Sequence, residues 1–102
     1  MNYEVNKKEL IDLKGVDNKE APFYQINIYN DDFTPMEFVA NVLEKFFYMN
    51  RRQAIMVMLE AHVQGKAKCG LYTKEIAESK IMEIHTNARL HEYPLFCGME
   101  VA

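Results

Sequence analysis

From Phe23 onward the chain switches between two hydrophobic periods. Phe23 to Tyr29 repeats every second residue, with Tyr24, Ile26 and Ile28 on one side and Gln25 and Asn27 on the other. That is the pattern of a half-buried strand. Asn30-Asp31-Asp32-Phe33 then turns the chain. Thr34 reads as an N-cap, with Pro35 at the first helical position and Glu37 completing a capping box. Behind it Met36, Val39, Ala40, Leu43, Phe46 and Phe47 recur at helical spacing. After a joint at Tyr48-Met49, Asn50 and Gln53 predict a second capped helix. Its apolar face reads as Ile55, Met58, Leu59, His62 and Val63, and Gly65 suits a left-handed stop. Lys66 to Tyr72 alternates again, with Ala67, Cys69 and Leu71 on one side. Thr73 caps a third helix striped by Ile76, Ala77, Ile81, Ile84 and Ala88. Pro94 ends that run, and Leu95, Cys97 and Met99 mark a final strand.

The order β-α-α-β-α-β predicts an α+β fold, a three-stranded antiparallel sheet backed by three helices with its other face toward water. Residues 1–22 break the pattern. Their charges alternate in sign, and Leu10, Ile11 and Leu13 are too few for a core. This segment is expected to be a flexible charged arm closed by Ala21-Pro22, with residues 23–102 as the folded domain.

Composition narrows the function classes. A chain of 102 residues suits one domain, and 49% hydrophobic residues suffice for one core. The net charge is −3, with Lys and Arg scattered, which argues against a nucleic-acid footprint. Cys69 and Cys97 form no CxxC pair, so two buried free thiols in a reducing compartment are expected. No apolar run reaches the length of a membrane span, and no signal peptide is recognised. The expectation is a small soluble cytoplasmic protein. No apolar stripe is left over once the core is assigned, which favours a monomer.

Asn30, Asp31 and Asp32 pose the chemical question. Such residues are common turn formers. They become a site only with a partner, and His62 is the candidate, because the second helix must pack near this turn. Otherwise His62 is a satisfied core histidine. A metal site would want more ligands at tighter spacing, and His85 and His91 lie at the wrong interval for one. An Asp–His acid/base pair is conceivable, but no nucleophile or phosphate loop accompanies it. Capture of a primary ammonium is the third option. Its three donors want three acceptors, which an amide oxygen, a carboxylate and a neutral imidazole supply. Met36, Val39 and Met58 would add an apolar hollow. The matching ligand has a free amine and a large apolar side chain on the same carbon.

Three segments, YNDDFTPMEFV, MLEAHVQGKAKCGLYTKEIAE and PLFCGMEVA, closely resemble the ClpS adaptor family from about Phe23 to Ala102. The resemblance implies a non-enzymatic adaptor without cofactor or bound metal. Such adaptors bind proteins whose first residue is Phe, Tyr, Trp or Leu and deliver them to a Clp ATPase, usually ClpA, for degradation by ClpP. It also implies a fold similar to the C-terminal domain of a ribosomal stalk protein. Carried over by position, Asn30, Asp31 and His62 would hold the substrate α-amino group, with Asp32 and Thr34 nearby. Met36 would gate a pocket walled by Val39, Val42, Met58, Ala61 and Leu95. Glu75 and Lys80 would face the N-terminal domain of the ATPase. Two positions depart from the pattern: Tyr93 stands where many members have His, and Ala61 where members often have Val. Two other readings remain beside it. One is a stalk-like interaction module, and the other is a small metal-dependent enzyme using Asp31, Asp32 and His62.

Overall fold

The computed structural model describes residues 22–102. The expected charged arm therefore lies outside the described residues, apart from Pro22. Six elements follow in the order read from the sequence: β1 (Tyr24–Tyr29), α1 (Met36–Phe47), α2 (Arg51–Gln64), β2 (Lys66–Tyr72), α3 (Lys74–Leu90) and β3 (Phe96–Val101). The sheet has strand order β2-β1-β3, and both pairings are antiparallel. Among the described residues no helix is long and apolar enough to cross a membrane.

One core joins the sheet to the helices. Ile26 and Ile28 of the central strand are fully buried with Leu43 of α1, Ile84 of α3 and Leu95 just before β3. Removing each such side chain from water contributes about 1.5–3 kcal/mol. Small residues set how closely α2 and α3 approach the sheet: Ala54 and Ala61 on α2, Ala77 and Ala88 on α3. The buried face of α2 is therefore Ala54, Met58 and Ala61, while Leu59, His62 and Val63 are exposed. This corrects the expected face, because alanines spaced along the helix admit the sheet where larger side chains would not. Ile76 of the α3 stripe is likewise exposed.

Two further corrections concern the strands. Leu71 does not share the face of Ala67 and Cys69. A β-bulge leaves Cys69 without a register partner, so Gly70 pairs with Ile26 and Leu71 with Gln25 on the far face. A one-residue insertion reverses the alternation beyond it. Asn27 does point away from the core, but it is 2% exposed rather than in water. Its amide accepts from Gln25 Nε2 at 3.1 Å and donates to Glu100 Oε2 at 3.2 Å. Those bonds offset the desolvation of a buried carboxamide.

The caps set the helix ends. Asn50 and Gln53 form the expected capping box: Gln53 N–H donates to Asn50 Oδ1 at 2.8 Å, and Asn50 N–H to Gln53 Oε1 at 3.1 Å. Thr73 accepts from the Ile76 N–H at 3.4 Å to begin α3. Lys80 Nζ crosses to the C-terminus of α1 and donates to the Phe46 carbonyl at 2.8 Å. The same ammonium lies 5.1–5.9 Å from the ring centres of Tyr72, Tyr48 and Phe47. A cation at a helix C-terminus and over aromatic faces is favourable on both counts.

Candidate functional site

The turn after β1 is organised by Asp31. Its Oδ1 accepts the backbone N–H groups of Phe33 at 2.8 Å and Thr34 at 2.7 Å, and its Oδ2 accepts the Thr34 hydroxyl at 2.8 Å. This corrects the expected cap of α1. The Thr34 hydroxyl turns back to Asp31, where it makes a charge-assisted bond. Pro35 is the N-cap residue, with extended ψ of 143° and no side-chain cap bond. Glu37 closes no capping box. It pairs across the helix ends with Arg51 at 2.7 Å, and that guanidinium holds its carboxyl below the ordinary range.

The end of α2 brings His62 to the same place. Gly65 adopts φ of 96°, a left-handed conformation that suits glycine, and its N–H caps the Ala61 carbonyl at 2.8 Å. The chain then enters β2 at once, pairing Lys66 with Tyr29. The Gly65 carbonyl accepts the Asn30 N–H at 2.9 Å. One backbone bond thus ties the acidic turn to the residue three positions after His62.

The result is a cleft of about 310 Å³ between the turn and the two helices. That is at the small end of the roughly 300–1,000 Å³ typical of ligand sites. Asn30, Asp31, Asp32, Thr34 and His62 line its polar side, and Met36, Val39, Met58 and Ala61 its apolar side. Two carboxylates and no Lys or Arg are among the lining residues, so the cleft favours a cation. Asp31 has about four acceptor positions on its two oxygens. Three are taken within the turn, which leaves one on Oδ2 for a ligand and holds the carboxylate still. His62 is exposed, not a core histidine. Among the described residues no group of three His, Cys, Asp or Glu side chains is placed to hold a metal ion.

Several expected residues lie elsewhere. Val42 and Leu95 are buried in the core and are not among the cleft's lining. Glu75 is exposed on α3, while the Lys80 ammonium is engaged with α1 and the aromatic rings. Ile28, Tyr29 and Pro35 also line the cleft, beyond the residues the sequence suggests. Their signal was chain adjacency, since they flank the acidic turn directly. His85, set aside as a ligand, accepts the Cys97 N–H at Nε2 (2.9 Å) beside a stacked Phe96 ring. A larger depression of about 580 Å³ beside β2 mixes Lys66 and Lys68 with Glu60 and Glu100, and Ala67 is the one apolar residue in its lining.

Comparison with known proteins places the chain in a family. The family described as "ATP-dependent Clp protease adaptor protein ClpS" matches residues 19–98. Proteins named ATP-dependent Clp protease adapter protein ClpS from Xanthomonas oryzae pv. oryzae and Xanthomonas axonopodis pv. citri are 47% identical over 81 residues. Those residues are 79% of this chain and 76% of each relative. The solved structure of Agrobacterium tumefaciens ClpS2 bound to L-phenylalaninamide superposes with a TM-score of 0.77 at 33% identity, covering 79% of this chain and 98% of that one. With the acidic turn, the helix-borne histidine and the apolar hollow in one cleft, the chain belongs to the ClpS family of Clp protease adaptor proteins.

Proposed function

We propose that this chain recognises proteins by a bulky hydrophobic N-terminal residue and presents them to a Clp ATPase, ClpA or its equivalent, for degradation by ClpP. The observation that carries the reading is the remaining acceptor of Asp31 beside Asn30, His62 and an apolar hollow. L-phenylalaninamide, which the Agrobacterium relative holds, has the corresponding chemistry: a free amine and a benzyl group on one carbon.

In this reading the α-ammonium donates to Asp31 Oδ2, to the Asn30 amide oxygen and to an unprotonated nitrogen of His62. A bond to the carboxylate contributes about 1.5–3 kcal/mol. The first side chain enters between Val39, Met58 and Ala61, where full burial adds about 1.5–3 kcal/mol. Met36 stands at the mouth, close to the substrate Cβ, and disfavours the branched Ile and Val. Asp32 adds to the negative field, and Thr34 braces Asp31. Glu75 on α3 is assigned to docking on the ATPase N-terminal domain, with Lys80 fixing the helix beneath it. The protein acts without chemistry of its own, as a monomer in the cytoplasm.

Fluorescence anisotropy with labelled peptides that differ only in the first residue tests the reading. Peptides beginning in Phe, Tyr, Trp or Leu should bind, and those beginning in Ile or Lys should not. Equal binding of the Phe and Ile peptides would remove the gate role of Met36. Degradation of a Phe-initiated reporter by a Clp ATPase with ClpP should require the adaptor.

A further inference from the structure

The cleft contains two sulfur atoms in unequal settings. Met58 is 7% exposed at the cleft wall, whereas Met36 is 47% exposed at its mouth. The protein's thiols are shielded. Cys69 and Cys97 are both buried, and burial pushes the Cys69 thiol far up and the Cys97 thiol up to about 12. Neither supplies the thiolate that would attack a peroxide. A thioether needs no deprotonation to react, so accessibility governs which methionine is oxidised. Met36, Met56 and Met82 are the exposed ones among the described residues. Of these, only Met36 lines the cleft.

We propose that Met36 is a reversible oxidation switch on substrate binding. The inference rests on the reading of the cleft as an N-terminal-residue site. In the step itself, hydrogen peroxide transfers one oxygen atom to the Met36 sulfur. The sulfur is oxidised by two electrons to the sulfoxide, and the peroxide is reduced to water. The product replaces an apolar, flexible thioether with a polar S=O group. Beside Val39 and Met58, that oxygen must be stripped of water when a hydrophobic side chain enters. A methionine sulfoxide reductase restores the thioether, with two thiols giving up their electrons to form a disulfide and the oxygen leaving as water.

The test uses the whole chain and a labelled peptide beginning in Phe. Wild type and Met36→Leu are each treated with hydrogen peroxide until mass spectrometry shows Met56 and Met82 converted, and each is compared with its own untreated affinity. Leucine conserves the volume but cannot be oxidised. Treated wild type should carry the sulfoxide at Met36 and bind at least about fivefold more weakly, the lower end of burying a polar group without a partner. Reductase treatment should restore it, and Met36→Leu should keep its starting affinity within about twofold. The proposal is overturned if Met36 stays unoxidised while Met56 and Met82 react. It is also overturned if oxidised wild type binds as before, or if Met36→Leu weakens equally. Untreated wild type that fails to bind the Phe peptide overturns the cleft reading itself and this inference with it, and that arm needs no oxidant.

Discussion

Asp31 has two separable roles, and two substitutions divide them. Its carboxylate orders the turn through three bonds of 2.7–2.8 Å, and one acceptor position on Oδ2 is left over for the ligand. In Asp31→Asn the amide oxygen still accepts from the Phe33 and Thr34 N–H groups. The new NH₂ can donate to the Thr34 hydroxyl, which then accepts. The turn persists, but the negative charge and the spare acceptor are gone. Loss of a hydrogen bond to a charged group is worth about 1.5–3 kcal/mol, or roughly 10–150-fold in affinity. The expected result is that loss in peptide anisotropy with little change in the thermal midpoint. Asp31→Ala removes the turn bonds too, so it should lose binding and also melt earlier. An Asp31→Asn protein that binds the Phe peptide within twofold of wild type would refute the assignment of the amine to this carboxylate. The turn geometry would then be its whole purpose.

Other consequences are open to simple assays. Lys80→Met should lower unfolding stability in urea by about 1–2 kcal/mol, from the lost cation–π contacts and helix C-terminal charge. A change under about 0.5 kcal/mol, that of an ordinary surface substitution, would deny the ammonium a structural role. Burial, then the charge of Arg89, lowers the His85 pKa below its ordinary 6.5. The unfolded chain therefore takes up a proton more readily than the folded one. This contribution to stability is complete above about pH 6.5 and is lost as pH falls from there through the lower folded-state value. His85→Gln retains an acceptor for the Cys97 N–H and should flatten that part of the melting-temperature profile. Profiles of wild type and variant that fall in parallel would count against it. Cys69 and Cys97 should resist a thiol reagent in the native protein at mildly alkaline pH and react together in denaturant. Prompt native labelling of either would show that its burial is only transient.

Local patterns in the sequence were legible where one interaction decides the structure. The Asn50–Gln53 box, the Gly65 stop and the period-two run of β1 each have a single satisfying conformation, and each formed. Expectations failed where two interactions compete. Thr34 could cap α1 or bond to Asp31, and the nearby charge won. Leu71 shared a period with Ala67 until the bulge at Cys69 shifted it, and a bulge leaves little trace in hydrophobicity alone. The buried face of α2 is hard to see in hydrophobicity alone, because close helix–sheet packing selects alanines over larger apolar residues. The cleft was legible through residue type: acceptors at one turn, a histidine near a helix end, and methionines. Val42 illustrates the limit, because one helical turn decides between lining a cleft and filling the core.

The central claim is that the cleft reads a free α-amino group together with the first side chain. The most direct measurement is calorimetric titration with a Phe-initiated peptide and its N-acetylated twin. Acetylation removes the charge and two of the three amine donors and leaves the side chain intact. The account predicts measurable binding of the free peptide and none of the acetylated one. Equal affinity for the two would contradict it and reduce Asn30, Asp31 and His62 to a turn beside an exposed histidine.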